Sequence, residues 1–216
     1  MSNTALLAWK RLLTEGTVIV GSILLAFAID AWWDEHKRDR EVLEVLRLVE
    51  LETVTNLANL KVSISHHEDI VMAIETAHDN RSIASNAGDA VIDVEVFEPI
   101  SDALKTLVST GMLSAIGDVD LRIALSAFDS MAKDLAEKEL AALRFRDAAR
   151  RRIASLGQPI YAMDELQTSN PVYTDIEILN LLAMRATEEY ESIESGRRLE
   201  THLGNTLVQL DALIER

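Results

Sequence analysis

The sequence predicts an all-α protein in which an N-terminal apolar helix precedes an antiparallel bundle of about four helices. Three observations point there. Gly and Pro number only eight and three in 216 residues, too few for the many tight turns of an all-β chain. Ala, Leu, Glu and Arg, good helix formers, dominate long stretches. Beyond residue 40, apolar residues recur at spacings of three and four, the period of one helix face. The length fits one domain and an anchor: 1–33 as an amphipathic start and transmembrane span, 34–216 as an acidic helical domain.

From Gly16 to Ile29 the chain carries no charge. At about 1.5 Å per residue that run covers about 21 Å, so a span of roughly 20 residues must extend from about Leu12 to Trp33, drawing Glu15 and Asp30 towards its edges. Trp9 precedes the run and Trp32 and Trp33 close it. Tryptophan at both ends suits the membrane interface, where an apolar ring keeps its N–H among water and headgroups. A cleaved signal peptide is the first rival, but Asp30-Ala31-Trp32-Trp33-Asp34-Glu35 offers no small-residue cleavage site. The second is a buried core helix, for which 14 uncharged residues is also a fitting length. On a helix, Glu15, Ile19, Ser22, Ala26, Asp30 and Trp33 fall within about 80° of one another. Glu15, Ser22, Ala26 and Asp30 thus form a candidate face for packing on another membrane helix, unless Glu15 and Asp30 only mark the two interfaces.

Val42, Leu46, Val49, Leu57, Leu60, Ile64, Val71 and Ile74 predict one long amphipathic helix, with Thr53 and His67 filling gaps. Asp79 to Asp93 reads as its closing loop, and Val91–Phe97, which alternates without a partner strand, as more loop. Pro99 opens a short helix to about Leu113, capped near Ser101. Asp118 caps the next, whose stripe is Leu121, Leu125, Phe128, Met131, Leu135, Ala142, Phe145, Ala149 and Ile153, ending near Gly157 and Pro159. A last helix starts near Thr174. Stripes of this kind must be buried against one another, and a bundle is the economical way to do it.

The net charge is −15, and Lys10, Arg11, Glu15 and Asp30 cancel within 1–33, so the excess belongs to 34–216. Such a surface repels phosphate backbones, which excludes nucleic acid as a partner. Without cysteine there are no disulfides and no thiolate sites. His66-His67-Glu68-Asp69 has metal-ligand residue types, but adjacent helical residues point about 100° apart. The expectation is a solvated His66, a bundle-facing His67, and no metal or cofactor. Glu75 and His78 form a single Glu-x-x-His, where a di-iron bundle needs two. Arg144, Arg146, Arg150, Arg151 and Arg152 are the basic concentration of an acidic domain. They read either as internal partners of Glu188, Glu189, Glu191 and Glu194, or as a docking patch for an anionic partner or headgroups.

The anchor and one further stretch resemble a family of small bacterial proteins with a single N-terminal span, known mainly as a domain of unknown function. Glu15, Leu24 to Ala26, Asp30, Trp32 and Glu35 resemble its anchor. "LVSTGMLSAIGDVDLRIAL", from Leu107 to Leu125, resembles its serine-glycine turn followed by an isoleucine and a leucine-arginine pair. Ala28, Asp30 and Ala31 depart from the amides usual near the end of that span. The resemblance implies a membrane-anchored helical protein and no activity. The expected function is a non-enzymatic interaction or assembly role at the lipid bilayer of the bacterial inner membrane. The chain would act as a homo-oligomer or as accessory to another membrane subunit. Lys10 and Arg11 ahead of the span suit a signal anchor that leaves the domain periplasmic, although Lys37, Arg38 and Arg40 after it favour the cytoplasm by charge alone. The alternative is a ligand-sensing bundle signalling through a separate partner.

Overall fold

The computed structural model describes residues 3–79, 93–94, 96–157 and 171–215, and within them the side chains of all but 3–16, 18, 78, 79, 171 and 173. Four α-helices carry the fold: α1 (Asn3–Asp79), α2 (Asp102–Ser109), α3 (Val119–Ser155) and α4 (Ile176–Ile214). Single 3-10 turns occupy Met112–Ala115 and Pro171–Thr174. There is no strand among the described residues. The chain divides into two units, Met1–Val45 and Leu46–Arg216.

In the first unit every residue from Ile19 to Glu41 is exposed. Ile19 is 60% exposed, Leu24 63% and Phe27 66%, so apolar side chains stand uncovered on all sides of the helix. Among the described residues no helix is long and apolar enough to cross a membrane. The opening part of the expected span, 12–16 and 18, lies outside the side chains described.

The second unit is a bundle of three long helices crossed by one short one. Its direction differs from the expected antiparallel arrangement. α3 and α4 are antiparallel: Asp134 meets Ser195, Lys138 meets Glu191 and Arg152 meets Asp175. α1, however, runs parallel to α3, since Ser63 and His67 meet Glu139 while Ile70, Ile74 and Ala77 share a core cluster with Ala149 and Ile153. The reason is the connection. The described residues 93–94 and 96–100 lie along the bundle, from Arg185, which donates to the Asp93 carbonyl, to Asn56, whose side chain bonds both the N–H and the C=O of Ile100. α3 therefore starts at the end of the bundle where α1 enters it.

Local signals explain most element ends. Asp118 accepts from the N–H groups of Asp120 and Leu121, and Asp175 from that of Ile178, each satisfying orphan donors of a first turn. Gly157, at φ 75°, closes α3 in the left-handed conformation that glycine tolerates. The Ser101 cap is different: its side chain makes no cap bond. Glu52 of α1 caps α2 instead, taking the N–H groups of Ala103 at 2.7 Å and Leu104 at 3.3 Å, a carboxylate facing the positive end of the helix. Leu113 falls in the 3-10 turn beyond Gly111 rather than in α2.

α4 approaches α1 closely at Gly196, where an added Cβ would lie 2.9 Å from Ile64 Cγ1. Gly196→Val is expected to destabilise the bundle by roughly 1–3 kcal/mol through overpacking. Gly204→Ala, at a helical site with nothing within 4 Å, should stabilise it by up to about 1 kcal/mol. Urea unfolding of the two variants checks both signs.

Candidate functional site

Three helices place polar residues at one level of the core, where their apolar stripes would otherwise meet. In α3 the buried positions run Leu135, Glu139, Ala142, Arg146, Ala149, a spacing of four and three that two charged residues share with the apolar ones. Glu139 and Arg146 thus occupy core positions, whereas Met131 and Phe145 are only half-buried. α4 contributes Arg185 and Glu189 one turn apart, and α1 contributes Ser63 and His67, all buried.

His67 is the centre. Its Nδ1 lies 2.5 Å from Glu189 Oε2 and its Nε2 3.2 Å from Glu139 Oε1. Both ring nitrogens face carboxylates, an arrangement only the imidazolium satisfies with two donors. Burial works against the charge, but hydrogen bonds to Glu139 and Glu189 and their charges outweigh it, raising the His67 pKa to about 9. Burial likewise pushes the Glu189 carboxyl up, yet the His67 hydrogen bond and the Arg185 charge win and hold it below its ordinary value. Arg185 Nε donates to Glu189 Oε1 at 2.8 Å. Glu139 also accepts from the Phe97 N–H, which fastens the returning segment to the cluster.

The chemistry this permits is narrow. Protonated and held on both sides, His67 is no general base at neutral pH. Ser63 Oγ points at Glu139 Oε1, 3.5 Å away, and not at the imidazole, so no nucleophile–base pair forms. Among the described residues no group of three or more ligand-type side chains is placed to hold a metal ion.

The residues singled out from the sequence are dispersed. His67 faces the bundle as expected, and His66 beside it is partly covered, 3.3 Å from Asp93 Oδ2. Glu68 pairs with Arg197, and Glu75 accepts from the Tyr190 hydroxyl; the side chain of His78 lies outside those described. Ser22, Ala26, Asp30, Trp32 and Trp33 are exposed, while the side chains of Trp9 and Glu15 lie outside those described. The five arginines do not share one surface. Arg146 is buried and bonded to Asp147, Arg152 pairs with Asp175 and Glu177, Arg150 is half-buried, and Arg144 and Arg151 are exposed. Arg152 holds the Asp175 carboxyl below its usual range, linking the end of α3 to the start of α4. Internal pairing does occur, with partners other than those expected: Glu189 goes to His67 and Arg185, Glu191 to Lys138 and Glu194 to Arg198.

Because its folded-state pKa lies above 6.5, His67 contributes stability that is full below that pH and is lost as pH rises through about 9. The change from 6.5 to about 9 corresponds to about 3 kcal/mol. Glu189, shifted down, contributes above its ordinary range and loses that contribution in acid. As far as His67 decides it, thermal stability should therefore be level below about pH 6.5 and fall steadily from there to about 9, while the His67 Hε1 resonance of the folded protein should stay constant from pH 5.5 to 7.5. An imidazole that titrates near 6.5 would contradict the bridge. His67→Leu leaves two buried carboxylates without their cation, at a cost of roughly 3–5 kcal/mol by urea unfolding.

Comparison of the chain with protein-family models, with curated proteins and with solved structures finds no match in any of the three.

Proposed function

We propose that this protein is a membrane-tethered, non-enzymatic assembly protein, its N-terminal apolar helix embedded in the bacterial inner membrane and its acidic bundle held on the periplasmic side. The observation that carries the reading is the uncovered apolar helix, with Ile19, Ile23, Leu24, Leu25, Phe27 and Ile29 all at least half exposed. A helix apolar on every side is stable only when lipid or protein surrounds it. Trp32 and Trp33 follow it, and charged residues begin at Asp34, the order expected where hydrocarbon gives way to headgroups and water. The likeness of this run to the single-span bacterial family agrees with it. Ser22, Ala26 and Asp30, with Glu15, form the face through which the helix packs on a second copy or on another membrane subunit. Nothing in the cluster around His67 supplies catalytic chemistry, so the bundle is read as a rigid acidic body for partner contact. A second reading, a ligand-sensing bundle acting through a separate partner, is favoured by buried guanidinium nitrogens of Arg146 and Arg185 that lack acceptors among the described residues.

The full chain is expected to stay in the membrane pellet after carbonate washing, and its tryptophan fluorescence to be quenched by vesicles of brominated phosphatidylcholine. Leu24→Arg with Leu25→Arg, each costing roughly 3 kcal/mol at mid-membrane, should release it. Extracted in mild detergent, the complex should have the mass of a homo-oligomer or contain a stoichiometric second subunit. A monodisperse monomer in the soluble fraction, with unquenched tryptophan, overturns the proposal.

A further inference from the structure

We infer that Arg146 and Arg185 form a buried binding site for a short aliphatic carboxylate inside the bundle. The inference is independent of the membrane reading, since every residue it uses lies in the unit 46–216.

The register of the antiparallel pair brings the two arginines together. With Lys138 opposite Glu191 and Arg152 opposite Asp175, position 146 lies within about one turn of Arg185 on the facing helix. They are close enough for charge to be felt: burial is the main cause that lowers the Arg185 pKa, and the neighbouring Arg146 adds to it. Arg185 is 1% exposed and Arg146 8%.

Their donors are only partly used. Arg185 gives Nε to Glu189 and Nη2 to the Asp93 carbonyl, and Arg146 gives Nε and Nη2 to Asp147. The Nη1 atom of each is buried and has no hydrogen-bond partner among the described residues. Buried donors without acceptors are costly, about 1–3 kcal/mol each and more when charged, so a core that keeps two guanidinium atoms in this state is incomplete without an acceptor.

Charge names the class of acceptor. The buried set holds three cations, His67, Arg146 and Arg185, against two carboxylates, Glu139 and Glu189. Asp147 and Asp93, with side chains 47% and 52% exposed, stand at the margin. One further negative charge balances the interior, and a carboxylate offers two oxygens in the plane that guanidinium N–H groups match. The next layer of the core is apolar, with Ile70, Ile74, Ala149 and Leu182, which suits a short alkyl tail rather than a second charged group. The Asp93 carbonyl accepts from Arg185 while the Asp93 side chain is half exposed, so this end of the pair lies near solvent.

The test uses the full chain in detergent micelles, dialysed to equilibrium against radiolabelled acetate at pH 7 and fixed ionic strength. One acetate per chain is expected, saturating in the millimolar range that suits four heavy atoms. Arg146→Met should weaken binding by roughly tenfold or more at unchanged helix content by circular dichroism. If that variant does not fold, Arg146→Lys, which keeps the charge but loses the Nη1 donor, should show the same direction of change. Absence of saturable uptake by the wild-type chain, or uptake equal to wild type in a folded Arg146 variant, overturns the site.

Discussion

The His67 imidazolium, held between a carboxylate from α3 and one from α4, is the interaction on which the rest of the bundle depends. Apolar stripes slide along one another at modest cost, whereas a buried cation between two carboxylates is satisfied in one register only. Fixing His67 against Glu139 and Glu189 sets the level of α1 against both other long helices at once. The layers above and below then follow. Leu60 and Ile64 meet the α4 backbone at Gly196 on one side, and Ile70 and Ile74 join Ala149, Ile153 and Leu182 on the other.

A second set of polar fastenings holds what has no secondary structure. Residues 93–94 and 96–100 make no ladder or helix, so their backbone groups need partners elsewhere. Arg185 supplies one for the Asp93 carbonyl, Glu139 one for the Phe97 N–H, and Asn56 two for Ile100. Glu52 completes the series at the first turn of α2. The same charged residues that set the helix register therefore also route the connection.

Much of the architecture was legible in the sequence, because helical period and capping residues act locally. The four helices, the Asp118 cap and the Gly157 terminus all follow from neighbours in the chain. The ionic layer was half legible: His67 filled a gap in an apolar stripe and read as bundle-facing, but Glu139 did not stand out and Arg146 read only as part of the basic concentration. The available signal was that the gaps in three stripes coincide at one level, which requires knowing the register first. The parallel course of α1 and α3 was not legible, since Asn56 and Ile100 are 44 residues apart and nothing local says that the connection doubles back. The Arg144–Arg152 concentration is dispersed for a local reason. Five positively charged residues close in sequence are spread around a helix at about 100° per residue, so one is buried while others face water.

The distance along the chain between His67 and Glu189, 122 residues, has a consequence for synthesis. α1 leaves the ribosome first, yet the carboxylate that completes its central contact arrives last. Until α4 emerges, His67 has neither its full set of acceptors nor the raised proton affinity they confer, and α1 has no fixed level to occupy. α3 and α4 are near neighbours in the chain and can close on each other by local search, whereas α1 must dock onto that hairpin from a distance, a slow step for reasons of loop entropy. Until those partners arrive the buried face of α1 stays uncovered, and an uncovered apolar face is what promotes association between unfinished chains.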